Sequence, residues 1–339
     1  MEEMMKRLVA LVIAVVLAMF QSGFVIAADE KPIHMGVITG GAKGTYYQFG
    51  LNIQKLSSVD NINMEVYNSA GSVENVYAVY KRPRTQLGIV QSDVLAFVSK
   101  VQTDETLKQI AKKIKMVFPL YNEEIHLLGQ EGIDNFDALS GKRVAIGKEG
   151  SGTYLTARLL FEISGIHPLE MVTIGTERAL SELKAGNIDA MFYVAGLPVA
   201  LFKESVSEED QLNLIPITNK NIREFYPSAT IPPGVYEWQD RLVETVAVKA
   251  VLISFDFKRF HCKTVGRVAK MIYENMDWLK ENGHSKWKSV DLNYRLKGWE
   301  QYGCVRNALM GAKPSGTRTV QEAPSLNPVL NAIKKVLKD

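Results

Sequence analysis

The chain has 339 residues, of which 46% are hydrophobic and 23% are charged, and its 40 Lys and Arg side chains against 37 Asp and Glu leave a net charge of +3. This is the composition of a globular protein, and it excludes a disordered chain, a collagen-like repeat and a disulfide-dense miniprotein. A chain of this length usually divides its core between two domains, and so small a net charge gives no basic footprint for nucleic acid.

The first 28 residues predict a cleaved secretory signal peptide. Lys6 and Arg7 precede an apolar run from Leu8 to Phe20, and small residues close the segment at Ala27 and Ala28. A basic start, an apolar stretch and a small-residue end are the three parts of such a signal. A transmembrane anchor is the alternative, although the apolar run is short against the roughly 20 residues that a span needs. We therefore expect an exported, periplasmic protein.

Export changes the interpretation of Cys262 and Cys304, since the chain has 2 cysteines in all. In an oxidising compartment an even number of cysteines predicts one disulfide bond. The alternative is a pair of buried, unpaired thiols.

Strands and helices are predicted to alternate from residue 32 onward, which is typical of an α/β fold with a largely parallel sheet. The predicted strands are His34–Ile38, Ile62–Tyr67, Leu87–Val90, Met116–Tyr121, Ile125–Leu128, Val144–Ile146, Val172–Ile174, Asp189–Ala195 and Thr245–Ile253. Apolar residues at helical spacing follow most of these strands. A last amphipathic helix is predicted from Pro328 to Leu337.

Two glycine-rich turns, Thr39–Tyr47 and Gly150–Tyr154, each follow a strand and open a helix. Glycine lets the backbone approach a ligand closely, and a helix N-terminus offers unpaired N–H groups to an anion. Each turn alone could be an ordinary capped connection. The recurrence of the same design in both halves of the chain favours an anion-binding cleft.

Motifs for catalysis, cofactors and metals do not occur in the sequence. Ala42 stands where a phosphate-binding loop needs its lysine, and the dinucleotide spacing of glycines is missing. The 5 histidines form no H-E-x-x-H pair. We therefore expect a protein that is not an enzyme and that needs no cofactor or metal.

Six segments, in this order, resemble the TAXI-type solute-binding proteins that serve TRAP transporters. The segments are Gly40–Tyr47, Ser69–Val76, Leu87–Asp93, Leu120–His126, Gly150–Thr153 and Asp189–Gly196. The sequence departs from that family at Gln48, at Lys81–Thr85 and after about residue 283.

The resemblance implies a two-lobed α/β fold of the type II periplasmic-binding class, with a hinged cleft between the lobes. After a signal peptide at 1–28, lobe 1 is expected at 29–121 plus 245–339 and lobe 2 at 122–244, with crossovers near Leu120–Glu124 and Leu242–Val246. It also implies that the protein delivers a small organic acid or amino acid, often glutamate-like, to the membrane-embedded permease subunits of a TRAP transporter. We expect the protein to be a monomer, and a dicarboxylate is a further candidate ligand. An ABC importer or a membrane sensor as partner, or a secreted enzyme on the same scaffold, are the alternatives.

The candidate ligand-binding residues combine helix N-termini from both halves with side chains able to read polar groups. Gln91 offers an amide at a strand end, and tyrosines offer apolar faces with a hydroxyl tip. Because converging helix dipoles favour negative charge, we expect a small carboxylate ligand. The candidates are Gly41, Gly44, Thr45, Tyr46, Tyr47, Ser72, Asn75, Gln91, Ser151, Gly152, Thr153 and Tyr193.

Overall fold

A computed structural model of the protein describes residues 32–100 and 105–311. The signal peptide predicted at 1–28 and the helix predicted from Pro328 to Leu337 lie outside these residues.

Strands and helices alternate along most of the described chain, as the sequence predicts. The strands are β1 (Ile33–Ile38), β2 (Ile62–Tyr67), β3 (Leu87–Gln91), β4 (Ile114–Gln130), β5 (Arg143–Ala145), β6 (Glu170–Val172), β7 (Ala190–Ala195), β8 (Leu212–Leu214), β9 (Ser228–Ile231) and β10 (Val243–Phe255). The helices are α1 (Thr45–Ser57), α2 (Ser72–Lys81), α3 (Ser92–Lys100), α4 (Glu105–Lys113), α5 (Gly152–Ser164), α6 (Thr176–Lys184), α7 (Ala200–Ser205), α8 (Lys220–Arg223), α9 (Phe260–Glu274), α10 (Met276–Asn282) and α11 (Gly303–Leu309). Short 3-10 helices occur at Ser58–Asp60, Phe136–Leu139, Glu208–Asp210 and Ser285–Ser289.

Local sequence explains the bounds of α5. Ser151 precedes the helix in an extended conformation and accepts a hydrogen bond from the N–H of Tyr154, which satisfies one of the unpaired donors of the first turn. Gly165 ends the helix in the left-handed region, at a φ of 72°, where glycine pays no Cβ penalty.

One mixed sheet connects the described strands in the order β2-β1-β3-β10-β4-β7-β5-β6. β1 pairs in parallel with β2 and β3, and β5 pairs in parallel with β6 and β7. Between these two parallel blocks, β10 runs antiparallel to both β3 and β4, and β4 runs antiparallel to β7. The predicted parallel character therefore holds for the two outer blocks and not for the centre of the sheet.

β4 corrects one prediction from the sequence. The segment was expected to form two strands, Met116–Tyr121 and Ile125–Leu128, broken at Asn122-Glu123-Glu124. It forms a single strand of 17 residues, in which both glutamates are buried. Charged pairs usually mark a break, but here each carboxylate has a partner inside the protein, so the strand continues.

The sheet has two lobes built on its two parallel blocks. We call the part built on β1, β2 and β3 the first lobe, and the part built on β5, β6 and β7 the second lobe. The long strands β4 and β10 run through both, and the register between them is irregular from Lys249 to Val251. The expected crossovers fall within β4 and at the start of β10. The lobe boundaries at 29–121 plus 245–339 and at 122–244 stay a prediction.

Each lobe has its own aromatic core. In the first lobe, Phe49 of α1 stacks on Trp287 with ring centroids 4.2 Å apart, and both side chains are fully buried. In the second lobe, Phe161 of α5 meets Phe192 of β7 edge-to-face at 5.7 Å, beside the buried Phe136. Offset and edge-on geometries are those that aromatic rings prefer. The two cores fix the helices whose N-termini face each other between the lobes.

The segment after residue 283, for which the sequence offered no pattern, packs onto the first lobe. Its 3-10 helix buries Trp287, and a disulfide bond joins Cys262 of α9 to Cys304 of α11, with the two Cα atoms 5.5 Å apart. The indole N–H of Trp287 donates to Asn52 of α1 at 2.9 Å. This segment is therefore an integral part of the first lobe.

Candidate ligand-binding cleft

Four helix N-termini meet at one cavity of about 260 Å³ between the lobes. Two belong to the first lobe and two to the second. The first N–H groups of each helix have no acceptor within the helix, and each helix dipole turns its positive end to the cavity. The residues at these termini are Gly44 and Thr45 of α1, Gly71 and Ser72 of α2, Ser151 and Gly152 of α5, and Gly175 and Thr176 of α6.

Most of the predicted site residues line this cavity. Tyr47 and Asn75 are not among its lining residues, and for both a contact with ligand stays a prediction. The buried amide of Asn75 donates to the carbonyl oxygens of Thr39 and Ile89, so it holds the loops that shape the cavity. The predicted residues that do line it are Gly41, Gly44, Thr45, Tyr46, Ser72, Gln91, Ser151, Gly152, Thr153 and Tyr193.

The two lobes approach closely at Gly71 and Gly152. Gly71 has a φ of 130°, and a Cβ there would lie 3.3 Å from the Cα of Ser151. A Cβ on Gly152 would overlap Oε1 of Gln91, which is buried. The glycines therefore serve contact between the lobes as well as the backbone turn that the sequence suggested.

The hydroxyl groups on the second lobe already act as acceptors within the protein. Oγ of Ser151 accepts from the N–H of Tyr154 at 3.1 Å, and Oγ1 of Thr153 accepts from the N–H of Val194 at 3.2 Å. Each hydroxyl keeps its own proton, which it can donate to a ligand. Thr45 differs, because its hydroxyl donates to the carbonyl oxygen of Gly196 at 2.9 Å and so joins the lobes.

Glu123 of β4 lines the cavity although it is only 2% exposed. The phenol of Tyr46 donates to its Oε2 at 2.7 Å. Burial raises the pKa of Glu123 well above its usual value, and the nearby carboxylates of Asp93 and Glu124 raise it further, while the Tyr46 hydrogen bond and Lys286 act in the opposite direction. The site therefore contains a carboxyl group that the sequence reasoning did not select.

Other lining residues were also missed. The N-terminus of α6 follows a short strand without a glycine-rich motif, so only its helix-start pattern could have revealed it. Lys43 and Lys148 bring positive charge to the mouth of the cavity, and Glu177 brings negative charge. Lys43 also pairs with Glu204 of the second lobe at 3.4 Å, in an exposed ion pair.

Asp93 of α3 forms a buried polar contact between the lobes. Its Oδ2 accepts from the hydroxyl of Thr156 of α5 at 2.7 Å and from the phenol of Tyr226 at 3.3 Å, while its Oδ1 accepts from the N–H of Val94. Burial raises the pKa of Asp93 to about 6, and these hydrogen bonds limit the rise.

His126 is satisfied inside the second lobe. Its Nδ1 lies 2.9 Å from the carbonyl oxygen of Glu124, to which it must donate, so Nε2 accepts from the phenol of Tyr236 at 2.8 Å. Burial lowers the pKa of His126 to about 4, and the ring is neutral at pH 7.

In the part of the chain that the structure describes, no group of His, Cys, Asp and Glu is placed to hold a metal ion. None of the helices within residues 32–100 and 105–311 combines the length and apolar character needed to cross a bilayer.

Solved structures with the same fold define its class. The periplasmic binding protein BugD has a TM-score of 0.54 at 9% identity, covering 91% of this chain and 97% of that chain. A periplasmic transporter has a TM-score of 0.51 at 13% identity, covering 92% and 98%. A Candida albicans gene product described as having the generic periplasmic binding protein fold has a TM-score of 0.50 at 10% identity, covering 90% of each chain. The fold is therefore that of the two-lobed periplasmic binding proteins, as predicted.

The family follows from the sequence match. Residues 37–299, which include all four helix N-termini at the cavity, match the NMT1-like family. The chain belongs to this family.

Proposed function

We propose that the protein is an extracytoplasmic solute-binding protein of the TAXI type. It captures a small organic acid or amino acid, glutamate-like or a dicarboxylate, in the cleft between its lobes and delivers it to the membrane subunits of a TRAP transporter. The observation that carries the proposal is the convergence of four helix N-termini, two from each lobe, on one cavity. Such termini favour a carboxylate without requiring an arginine.

The size of the cavity supports a small ligand. Its volume of about 260 Å³ lies just below the range of about 300–1,000 Å³ that is usual for ligand pockets. The donors belong to both lobes, so a ligand that uses them all holds the lobes together. A carboxylate at the N-terminus of α5 would accept hydrogen bonds from first-turn N–H groups and from the hydroxyls of Ser151 and Thr153.

Calorimetric titration with a panel of small carboxylates, together with a neutral sugar, tests the proposal. We expect Ser151→Ala and Thr153→Ala each to weaken carboxylate binding by about 0.5–3 kcal/mol, the range for losing one hydrogen bond, and most when the partner is charged. Cys262 and Cys304 remain native in these variants, and thermal unfolding verifies that each variant is folded. Tight binding of the neutral sugar, or wild-type affinity in the double variant, would contradict an anion-binding cleft.

The partner is tested separately. We expect the loaded protein to drive uptake of its ligand into vesicles that contain a TRAP permease from the same organism, and not into vesicles without a permease. A neighbouring gene for an ATPase in place of that permease would assign the protein to an ABC importer instead.

Mass spectrometry of the native, exported protein is expected to show loss of the first 27 or 28 residues.

A further inference from the structure

Glu123 presents one unpaired carboxylate oxygen to the cavity. Its Oε2 receives the phenol proton of Tyr46, whereas its Oε1 has no hydrogen-bond partner among the described residues. The side chain is 98% removed from solvent, and it lines the same cavity as the four helix N-termini. Because Glu123 lines the cavity and no donor of the described residues reaches Oε1, this oxygen can accept a hydrogen bond from a ligand.

The groups around Glu123 do not neutralise it. Lys286, a cation whose charge reaches Glu123, lies 2.6 and 2.7 Å from the two oxygens of Glu124, and so it is paired with that neighbour. Asp93 adds a further carboxylate nearby, while Tyr46 contributes a neutral phenol. Among the ion pairs of residues 32–100 and 105–311, none includes Glu123, so positive charge must come from the ligand if the carboxyl group is to ionise.

We propose that Glu123 binds the ammonium group of the ligand, so that the cleft takes a zwitterionic α-amino acid in preference to a dicarboxylate or an oxo acid. This inference rests on the proposed function, in which the ligand's carboxylate lies at the helix N-termini. The positive helix ends and the buried acid then match the two charges of one small molecule.

Charge and hydrogen bonding together select the ammonium group. An N⁺–H donor to a carboxylate gives a charge-assisted hydrogen bond, which is shorter and about twice as strong as a neutral one. A second carboxylate in the same place would face Glu123 as a like charge, and it would bind only while Glu123 kept a proton. A ketone oxygen, as in an oxo acid, can only accept from a protonated Glu123, which gives a neutral and therefore weaker hydrogen bond. The ammonium group alone supplies both the donor and the opposite charge.

Matched ligand series test the inference on the unaltered protein. Calorimetry compares L-glutamate with 2-oxoglutarate and glutarate, and L-alanine and L-leucine with their own oxo and deaminated acids. In each series that binds, we expect the amino acid to bind roughly tenfold tighter or more, since losing a charged partner costs at least one such step. An oxo or deaminated acid that binds as tightly as its amino acid overturns the role of Glu123 but leaves the carboxylate cleft intact. If no carboxylate in any series binds, the proposed function fails.

The variant Glu123→Gln isolates the charge. Glutamine keeps the size of the side chain and an acceptor for Tyr46, but it removes the negative charge. We expect amino-acid affinity to fall roughly tenfold or more, and the affinity for the deaminated acid of the same series to change by less than about threefold. The exposed Glu149→Gln, which does not line the cavity, should change neither. Equal losses for both ligands would mean that Glu123 only supports the fold, and if the variant fails to fold, the ligand series on the unaltered protein decides.

Discussion

The ammonium of Lys286 lies 2.6 and 2.7 Å from the two carboxylate oxygens of Glu124. Both side chains are at least nine-tenths buried, and the same carboxylate accepts from the N–H of Leu197 at 3.2 Å. Lys286 comes from the segment after residue 283, Glu124 from the strand shared by both lobes, and Leu197 from the second lobe. One ion pair therefore connects three parts of the chain beside the ligand cleft.

Replacing Lys286 by Met should destabilise the protein strongly. The substitution leaves Glu124 as a buried charge without its partner, and we expect the free energy of unfolding to fall by about 3–5 kcal/mol in denaturant titrations. Lys288→Met, on the same 3-10 helix but exposed, should change it by less than about 0.5 kcal/mol. A double variant that also replaces Glu124 by Leu should recover much of the loss, because no unpaired charge remains. If Lys286→Met and Lys288→Met were equally stable, the ion pair between Lys286 and Glu124 would have no structural role.

Asp93 should make stability depend on pH in a defined direction. Since its pKa is raised to about 6 in the folded protein, the folded state holds the proton longer, and the stabilisation present below about pH 4 is lost as pH rises through about 6. Asp93→Asn removes this effect, so unfolding free energies of variant minus wild type should rise by up to about 3 kcal/mol between pH 4 and pH 7.

The difference between the two proteins is the quantity to measure, because other groups also titrate in this range. The lowered pKa of His126 acts in the opposite direction and is common to the two proteins. The raised pKa of Glu123 acts in the same direction as that of Asp93, and because the Asp93 carboxylate contributes to it, Asp93→Asn reduces both effects together. The exposed Asp134→Asn, the same substitution at a surface position, serves as the control. A flat difference for Asp93→Asn would rule out the buried acid as the source.

Adding a methyl group at Gly152 should disturb the closed cleft. An alanine Cβ would overlap the buried amide of Gln91, which must then move away from Thr156. We expect Gly152→Ala to weaken ligand binding in calorimetry by about 1–3 kcal/mol, the usual cost of overpacking. Gly303→Ala is the matched control, because Gly303 is also the first residue of a helix but has open space around it. If Gly152→Ala bound the ligand with unchanged affinity, the side chain of Gln91 would be able to take another position without loss of binding free energy.

The disulfide between Cys262 and Cys304 should stabilise the first lobe. It closes a sequence separation of 42 residues, for which the chain-entropy model gives roughly 4 kcal/mol of stabilisation. We expect mass analysis of alkylated, unreduced protein to show the linked peptides, and reduction to lower the melting temperature. Two alkylated thiols in exported protein would contradict the bond in the native molecule.

Ligand binding should hold the two lobes closed. The hydroxyl of Thr45 donates to Gly196, and the N–H of Glu74 donates to the carbonyl of Gly150 at 3.1 Å, in each case across the cleft. We expect a saturating carboxylate to lower the radius of gyration in small-angle scattering and to raise the melting temperature by mass action. Scattering curves that are identical with and without the ligand would show that the hinge does not move.

Much of the fold could be predicted, because the α/β alternation is a local property of the sequence. Apolar runs such as Leu87–Val90 identify strands, and serine or glycine after them identifies helix starts. The continuity of β4 could not be predicted, since it depends on Tyr46 and Lys286, which reach Glu123 and Glu124 from distant parts of the chain. A charged pair in a strand is informative only when its partners are known.

Some parts of the candidate site could likewise be predicted from the sequence, and others could not. The glycine-rich turns before α1 and α5 predict two of the helix N-termini, because such turns have recognisable local sequences. The N-terminus of α6 at Gly175 and Thr176 has an ordinary start, and only the fold brings it to the cavity. The amide of Asn75 donates to backbone carbonyl oxygens, which the sequence does not show, and its contact with a ligand stays a prediction. Spacing along the chain therefore finds loops, whereas the lining of a cleft depends on how the two lobes meet.

The position of β10 sets the order in which the protein can finish folding. β10 pairs with β3, from Ala250 opposite Gln91 to Ser254 opposite Leu87, and more than 150 residues separate these partners. While the chain is being made from its N-terminus, the apolar edge of β3 stays open until the whole second lobe has been synthesised. An open apolar edge is a template for pairing with other chains. Fragments that end before Val243 should therefore aggregate, and the growing chain needs its β3 edge shielded until β10 arrives.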